Sequence, residues 1–234
     1  MSNFRFTRPD SFPPIIKNLI IINVLVFVAQ LLFDKQFDLT AKLGLWPIES
    51  EHFKPYQVFT HMFTHSPTII FHIVFNMLTL WMFGRILENV WGPKRFLFFY
   101  LACGVGAAIA HMTVAYFQYK EILDAINLYD ASGQPQLAEQ LRNAPVYAVG
   151  ASGAVMGVMV AFAFLFPNTS LYIMLIPVPV KAKWVVLGYI LIDLFGGVNP
   201  TAGDNVAHFA HLGGALTGFI IVFIWNKTNR KSLY

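Results

Sequence analysis

The sequence predicts an all-α membrane protein, a compact bundle of six transmembrane helices with both termini in the cytoplasm. Three observations carry this expectation. Of the 234 residues, 56% are hydrophobic and only 12% are charged, about half the charged share of a soluble domain. Residues 96–117, 147–166 and 206–225 contain no Asp, Glu, Lys or Arg, and roughly 20 such residues suffice to cross a bilayer. Lysine and arginine gather in alternate connections between the apolar runs, as the positive-inside bias requires.

Each span follows from local composition. The first, residues 15–33, carries Lys17 only at its edge, and the second, 69–87, carries Arg85 near its far end. The third, fourth and sixth are the uncharged runs. The fifth, 184–198, is short and holds Asp193, and Val180 with its flanking lysines extends it. The preceding "LYIMLIPVPV" is interrupted by Pro177 and Pro179, which reads as an interfacial or re-entrant loop. These limits divide the chain into a cytoplasmic tail at 1–14, a transmembrane domain at 15–226 and a second tail at 227–234.

Eleven of the 16 basic residues lie on one side of that arrangement: Arg5, Arg8, Lys17, Arg85, Lys94, Arg95, Lys181, Lys183, Lys227, Arg230 and Lys231. The opposite connections hold the other five together with nine acids, Asp204 among them. Basic residues are spread along the chain, which excludes a nucleic-acid-binding patch. Cys103 is the single cysteine, so no intramolecular disulfide forms. The opening "MSNFRFTRPDSFPPIIKN" lacks a small-residue cleavage site, so the first apolar run is expected to stay as an anchor. It is also without a Ser/Arg-rich presequence, which points to a bacterial plasma membrane.

Polar groups inside a bilayer are costly and mark function by default. Counted along their runs, Ser152 and His211 each lie five residues in, about 7.5 Å below the outer end of an ideal helix. His72 and Asn76 bracket the same depth on the second span, at about 4.5 and 10.5 Å, and a spacing of four puts them on one face. Small residues let these helices approach. Gly153-x-x-x-Gly157 and Gly214-x-x-x-Gly218 are both small-xxx-small motifs, and His211, Gly214 and Gly218 share a stripe. Packing the two faces brings the Ser152 hydroxyl toward the His211 ring, the base that a serine needs to act as a nucleophile. Taken singly, a serine beside glycines is packing, His72 and Asn76 are helix-to-helix hydrogen-bonding groups, and His208 and His211 are a structural pair. Their shared depth and side set them apart.

From about Tyr56 to Trp225 the chain resembles the rhomboid intramembrane serine proteases, through "HIVFN" (72–76), "GASG" (150–153) and "AHLGGALTG" (210–218), in that order. The resemblance implies a rhomboid-like six-helix core and a Ser–His dyad without a third acid. Ser152 matches the family's nucleophile and His211 its base. His72 and Asn76 match the oxyanion-stabilising pair, joined by the Ser152 backbone N–H. Glu88 in "GRILENVWG" matches a structural glutamate. The implied substrates are membrane-anchored proteins whose transmembrane segments are cut near the outer face of the bilayer. No cofactor and no metal is implied.

Three features depart from the family pattern. Tyr56-Gln57 stands where a Trp-Arg pair is common, Met156 where an aromatic ring often stacks under the histidine, and the stretch 116–143 is long. Other chemistries fit less well. His61 and His65 have the spacing of a metal pair but no glutamate between them. Asp193 is alone in its span, which excludes an aspartyl dyad, and is expected to satisfy local polar groups. His208 is the reserve base, and the apolar "AKLGLWPIESEHF" is expected to lie in the interface and shape lateral access. The alternative function is a non-catalytic relative that binds transmembrane clients without cutting them.

Overall fold

The computed structural model describes residues 10–142, 144, 146–172, 178–199 and 207–228. Arg5, Arg8, Pro177, Asp204, Arg230, Lys231 and the Val206 start of the sixth expected span lie outside the described residues. In chain order the helices are α1 (Pro14–Phe37), α2 (Leu39–Leu43), α3 (Gln57–Thr60), α4 (Ile70–Thr79), α5 (Arg85–Trp91), α6 (Pro93–Ala131), α7 (Pro135–Arg142), α8 (Ser152–Leu165), α9 (Ala182–Val198) and α10 (His208–Thr228). A π turn, Leu80–Gly84, joins α4 and α5 into one unit over Ile70–Trp91.

Four helical units are long and apolar enough to cross a membrane: Pro14–Phe37, Ile70–Trp91, Pro93–Ala131 and His208–Thr228. Their outward faces carry large exposed apolar side chains, among them Leu25, Leu32, Phe71, Phe98, Leu216 and Ile224. A surface of that kind belongs in lipid, and the chain is an integral membrane protein. Helices α8 and α9 are shorter, at 14 and 17 residues.

α8 departs from the expected fourth span. Its helix begins at Ser152, because residues 147–151 are held in extended and turn geometry. Leu45 and Ala148 exchange backbone hydrogen bonds of 2.8 and 3.0 Å, and the Gly150 N–H donates to the His61 carbonyl at 2.9 Å. Gly150 itself has φ 132°, a conformation that only glycine adopts readily. Fourteen residues make about 21 Å of helix, well under a bilayer's roughly 30 Å hydrocarbon core. Nearly all of it, Gly153 through Ala163, is buried. α8 is thus the central post of the bundle, with α6 and α10 packed along it.

The third span is longer than expected. α6 runs 39 residues, about 58 Å, and stops only where Gly133 takes φ 71° and Pro135 starts α7. The long stretch after residue 116 is therefore a helical hairpin, with Ala138 of α7 fully buried and an Arg142–Asp130 ion pair between its arms. The ends of the proline-broken segment pair with each other, and residues 173–177 within it lie outside the described residues. Ser170–Leu171 (β1) pairs antiparallel with Val180–Lys181 (β2), and Lys181 leads directly into α9.

Three buried polar groups fix the scaffold, two at α1 and one in the loop that follows it. Glu88, 2% exposed, accepts the Ile15 and Ile16 N–H groups at 2.9 and 2.8 Å, capping the otherwise unsatisfied first turn of α1. Gln30 donates to the His65 carbonyl at 2.7 Å and accepts the His65 N–H at 3.1 Å. Gln57, in the position where arginine is common, accepts from the Trp46 and Lys54 N–H groups and donates to the Lys42 and His52 carbonyls. One amide thereby braces the first loop, using both its donors and its oxygen.

Candidate active site

The N-terminus of α8 lies against α10 with almost no side chain between them. A Cβ built on Gly214 would lie 1.9 Å from the Gly153 carbonyl oxygen, and one on Gly218 would lie 2.7 Å from the Gly157 Cα. Backbone therefore meets backbone, as the two glycine motifs predict. Across this contact Ser152 Oγ lies 2.7 Å from His211 Nε2. Ser152 is the first residue of α8 and His211 the fourth of α10, not the fifth residue inside each helix. The extended leg 147–151 takes the place of the first helical turn expected before Ser152.

The other imidazole nitrogen has a partner that the sequence reading did not assign. His211 Nδ1 lies 2.9 Å from Asp193 Oδ1, and the same oxygen lies 2.8 Å from His208 Nδ1. Two expectations change. A carboxylate does contact the histidine, and His208 is engaged with Asp193 rather than standing as a second base for Ser152. The signal was present in the sequence, since one acid within an apolar span is a functional candidate by default. Its relation to His211 depends on how α9 packs on α10, which spacing does not reveal.

His72 reaches the site from α4. The Ser66 N–H approaches its Nδ1 at 3.4 Å, which leaves Nε2 as the protonated nitrogen of the neutral ring. That nitrogen faces the serine turn: a Cβ on Gly150 would lie 2.8 Å from His72 Nε2 and 3.4 Å from Ser152 Oγ. Glycine at 150 is therefore required twice, for its φ and for the space the ring occupies. Asn76 is buried one turn along α4, and its Nδ2 donates to the His72 carbonyl at 2.8 Å. One amide hydrogen is thus tied to its own helix and the second remains.

Behind His72 sits His65, with ring centroids 5.1 Å apart in an edge-on arrangement. Both ring nitrogens of His65 are buried without a partner among the described residues. Burial, with a smaller contribution from neighbouring His72, lowers its pKa to about 3. His61 is lowered to about 4, also chiefly by burial, while its Nδ1 donates to the Gln57 carbonyl at 2.9 Å. Both rings are neutral near pH 7. Among the described residues no group of three or more His, Cys, Asp or Glu side chains is arranged to hold a metal ion.

The fold and site define a helical membrane protein with a serine–histidine pair inside its bundle. Residues 52–228 match the family described as "Rhomboid domain", and the chain belongs to the rhomboid family. It is 32% identical over 213 residues to "RHOMBOID-like protein 12, mitochondrial" of Arabidopsis thaliana, covering 88% of this chain and 56% of that protein. It is 26% identical to "Rhomboid protein 1, mitochondrial" of Saccharomyces cerevisiae, over 72% of this chain and 41% of the relative. With "Rhomboid protease AarA" of Providencia stuartii it shares 28% identity, over 64% and 49%. The chain spans about half the length of these relatives. Two of the three are named as mitochondrial, so the bacterial plasma membrane expected from the N-terminal tail is not supported.

Proposed function

We propose that the chain is an intramembrane serine endopeptidase that cleaves membrane-anchored proteins through Ser152 and His211. The observation that carries this reading is the 2.7 Å contact between Ser152 Oγ and His211 Nε2 at the partly buried start of a glycine-lined helix. His211 Nε2 takes the hydroxyl proton as Oγ attacks a peptide carbonyl carbon. The carbonyl oxygen gains negative charge, and the Ser152 N–H, at a helix N-terminus where backbone dipoles favour anions, lies at hand for it. His72 Nε2–H and the second Asn76 amide hydrogen complete the donor set, at about 2.7–4 kcal/mol per donor in soluble counterparts. The intermediate collapses as the peptide nitrogen leaves with the proton from His211. A water, deprotonated by His211 Nε2, then attacks the Ser152 ester, and His211 returns that proton to Oγ as the carboxylic acid product leaves.

The proposal extends to topology. Helices α1, α4–α5, α6, α8, α9 and α10 are the six segments of a transmembrane domain over 15–226, with tails at 1–14 and 227–234 in the cytoplasm. The lysine and arginine distribution supports that orientation. Substrates are proteins with a transmembrane segment that yields its backbone near the outer face. "Rhomboid protease" in the names of relatives supports the reaction class. The bilayer is the partner common to all of this.

The test compares purified wild type with Ser152→Ala and His211→Ala on a single-span substrate in liposomes, together with labelling by a fluorophosphonate. Cleavage and labelling by wild type, lost in both variants, is the expected result. Variants that cut like wild type would refute the pair. A wild type that neither cuts nor labels would favour the non-catalytic client binder.

A further inference from the structure

We propose that Asp193 is a positioning residue that fixes the His211 ring with its proton on Nδ1, making the site a Ser152–His211–Asp193 relay. The inference rests on the reading of Ser152 and His211 as the reacting pair. The Asp193 side chain is 6% exposed and its Oδ1 receives two imidazole nitrogens, from His208 at 2.8 Å and His211 at 2.9 Å. A carboxylate has only lone pairs to offer, so each ring must present Nδ1–H to it. For a neutral His211 that leaves Nε2 bare, and this is the nitrogen 2.7 Å from Ser152 Oγ. The orientation a general base needs is thus imposed from the far side of the ring.

α9 is shaped for this contact. One turn beyond Asp193 comes Gly196, where a Cβ would lie 2.5 Å from both Cε1 and Nε2 of His208. At Gly197 a Cβ would lie 3.0 Å from the Phe209 ring. These two glycines let the start of α10 press onto α9, and His208 bridges to Asp193 there. A clamp between α9 and α10 needs only the His208 bond. The second bond, to His211, connects the clamp to the site. It also divides the work of the two histidines, which lie three residues apart: His208 holds the carboxylate in place and His211 uses it.

The test is the ring-nitrogen NMR spectrum of His211 in liposomes, read with steady-state cleavage of a single-span substrate. Wild-type neutral His211 is expected to carry its proton on Nδ1. In Asp193→Asn the amide NH2 competes as a donor toward the ring, so the Nε2–H form should appear. In the same variant kcat should fall on the order of 10²-fold or more, toward the ~10⁴-fold that a wrong tautomer costs a serine protease, with KM within about twofold. Asp193→Glu restores a carboxylate and should recover the Nδ1–H form with part of the lost kcat. A purely structural aspartate would lower thermal stability while leaving the tautomer of the folded fraction unchanged. Wild-type His211 protonated at Nε2, or Asp193→Asn with wild-type kcat, would overturn the inference. A wild type that neither cleaves nor labels at Ser152 would sink the endopeptidase reading instead, while the nitrogen spectrum still decides the tautomer without any variant.

Discussion

Gly214→Ala tests how far the proposed site depends on helix approach. The added Cβ would lie 1.9 Å from the Gly153 carbonyl oxygen and 2.6 Å from its carbonyl carbon. Ordinary contact for a methyl carbon begins near 3.4 Å, so the backbones must part by about 1.5 Å (3.4 minus 1.9). Neither atom is on a flexible side chain, so rotation of a side chain cannot relieve the overlap. Gly214 lies one turn from His211 and Gly153 directly follows Ser152. Much of the displacement therefore passes to the 2.7 Å contact between Oγ and Nε2 and takes it beyond hydrogen-bonding range. A misplacement of about 1 Å costs on the order of 10²-fold in rate, and overpacking a tight contact adds about 1–3 kcal/mol of destabilisation. The assay is kcat/KM for a single-span substrate together with the fluorophosphonate labelling rate, at a temperature where the variant stays folded. Gly188→Ala, where a Cβ meets nothing within 4 Å, is the control and should retain wild-type values. Gly214→Ala with undiminished cleavage and labelling would refute the account of Ser152 and His211 as a pair positioned by backbone contact.

Other perturbations probe separate parts of the scaffold. Gly150→Ala forces a Cβ onto a φ of 132° and to within 2.8 Å of His72 Nε2. Strain of about 1–3 kcal/mol with loss of cleavage is expected, and an active variant of unchanged thermal midpoint would count against the turn geometry. Glu88→Ala leaves the Ile15 and Ile16 N–H groups without their acceptor, at about 1.5–3 kcal/mol for each charge-assisted bond. The thermal midpoint in detergent should fall clearly, and Glu88→Gln, which keeps one acceptor, should fall less. Native His61 and His65 titrate near 4 and 3, below the ordinary 6.5. The unfolded chain therefore binds more protons, and stability is full above pH 6.5 and declines as pH falls toward 4, at about 1.4 kcal/mol per unit for each ring. Thermal midpoints measured across that window should drop, and His65→Gln should soften the slope; a flat profile in wild type would contradict the buried, neutral rings.

Much of the helix-packing logic is local enough to be read in the sequence. The glycine pairs at 153/157 and 214/218 state by spacing alone that two helices meet backbone to backbone, and the structure packs them that way. Helix ends were less legible. Residues 147–151 are apolar and uncharged, so a hydropathy reading includes them in the fourth span. What stops the helix is non-local pairing with Leu45 and the His61 carbonyl, together with the unusual φ at Gly150. α6 outruns its apolar segment for the opposite reason: no proline or glycine interrupts residues 107–131, so polar helix continues from apolar helix. Asp193 was visible as an isolated acid, but its partners sit on another helix, 15 and 18 positions away. The brace supplied by Gln57 was hidden similarly, since an amide with four loop partners leaves no periodic trace.

The shortness of α8 bears on how the proposed hydrolysis could proceed inside a bilayer. A helix of full spanning length would hold Ser152 one turn below its own rim, with its N–H committed to an i−4 carbonyl. In the observed arrangement the chain descends in extended form, with the Leu45–Ala148 bonds and the Gly150-to-His61 bond satisfying backbone groups that lipid would otherwise leave bare. The helix then starts at Ser152, so its first-turn N–H groups have no partner within the helix and are open to the oxyanion of the proposed reaction. Burial depth and oxyanion stabilisation thus come from the same break. A substitution that let residues 147–151 join the helix would raise Ser152 and consume those donors together, so the positions of the proposed nucleophile and of its proposed anion site would be lost together.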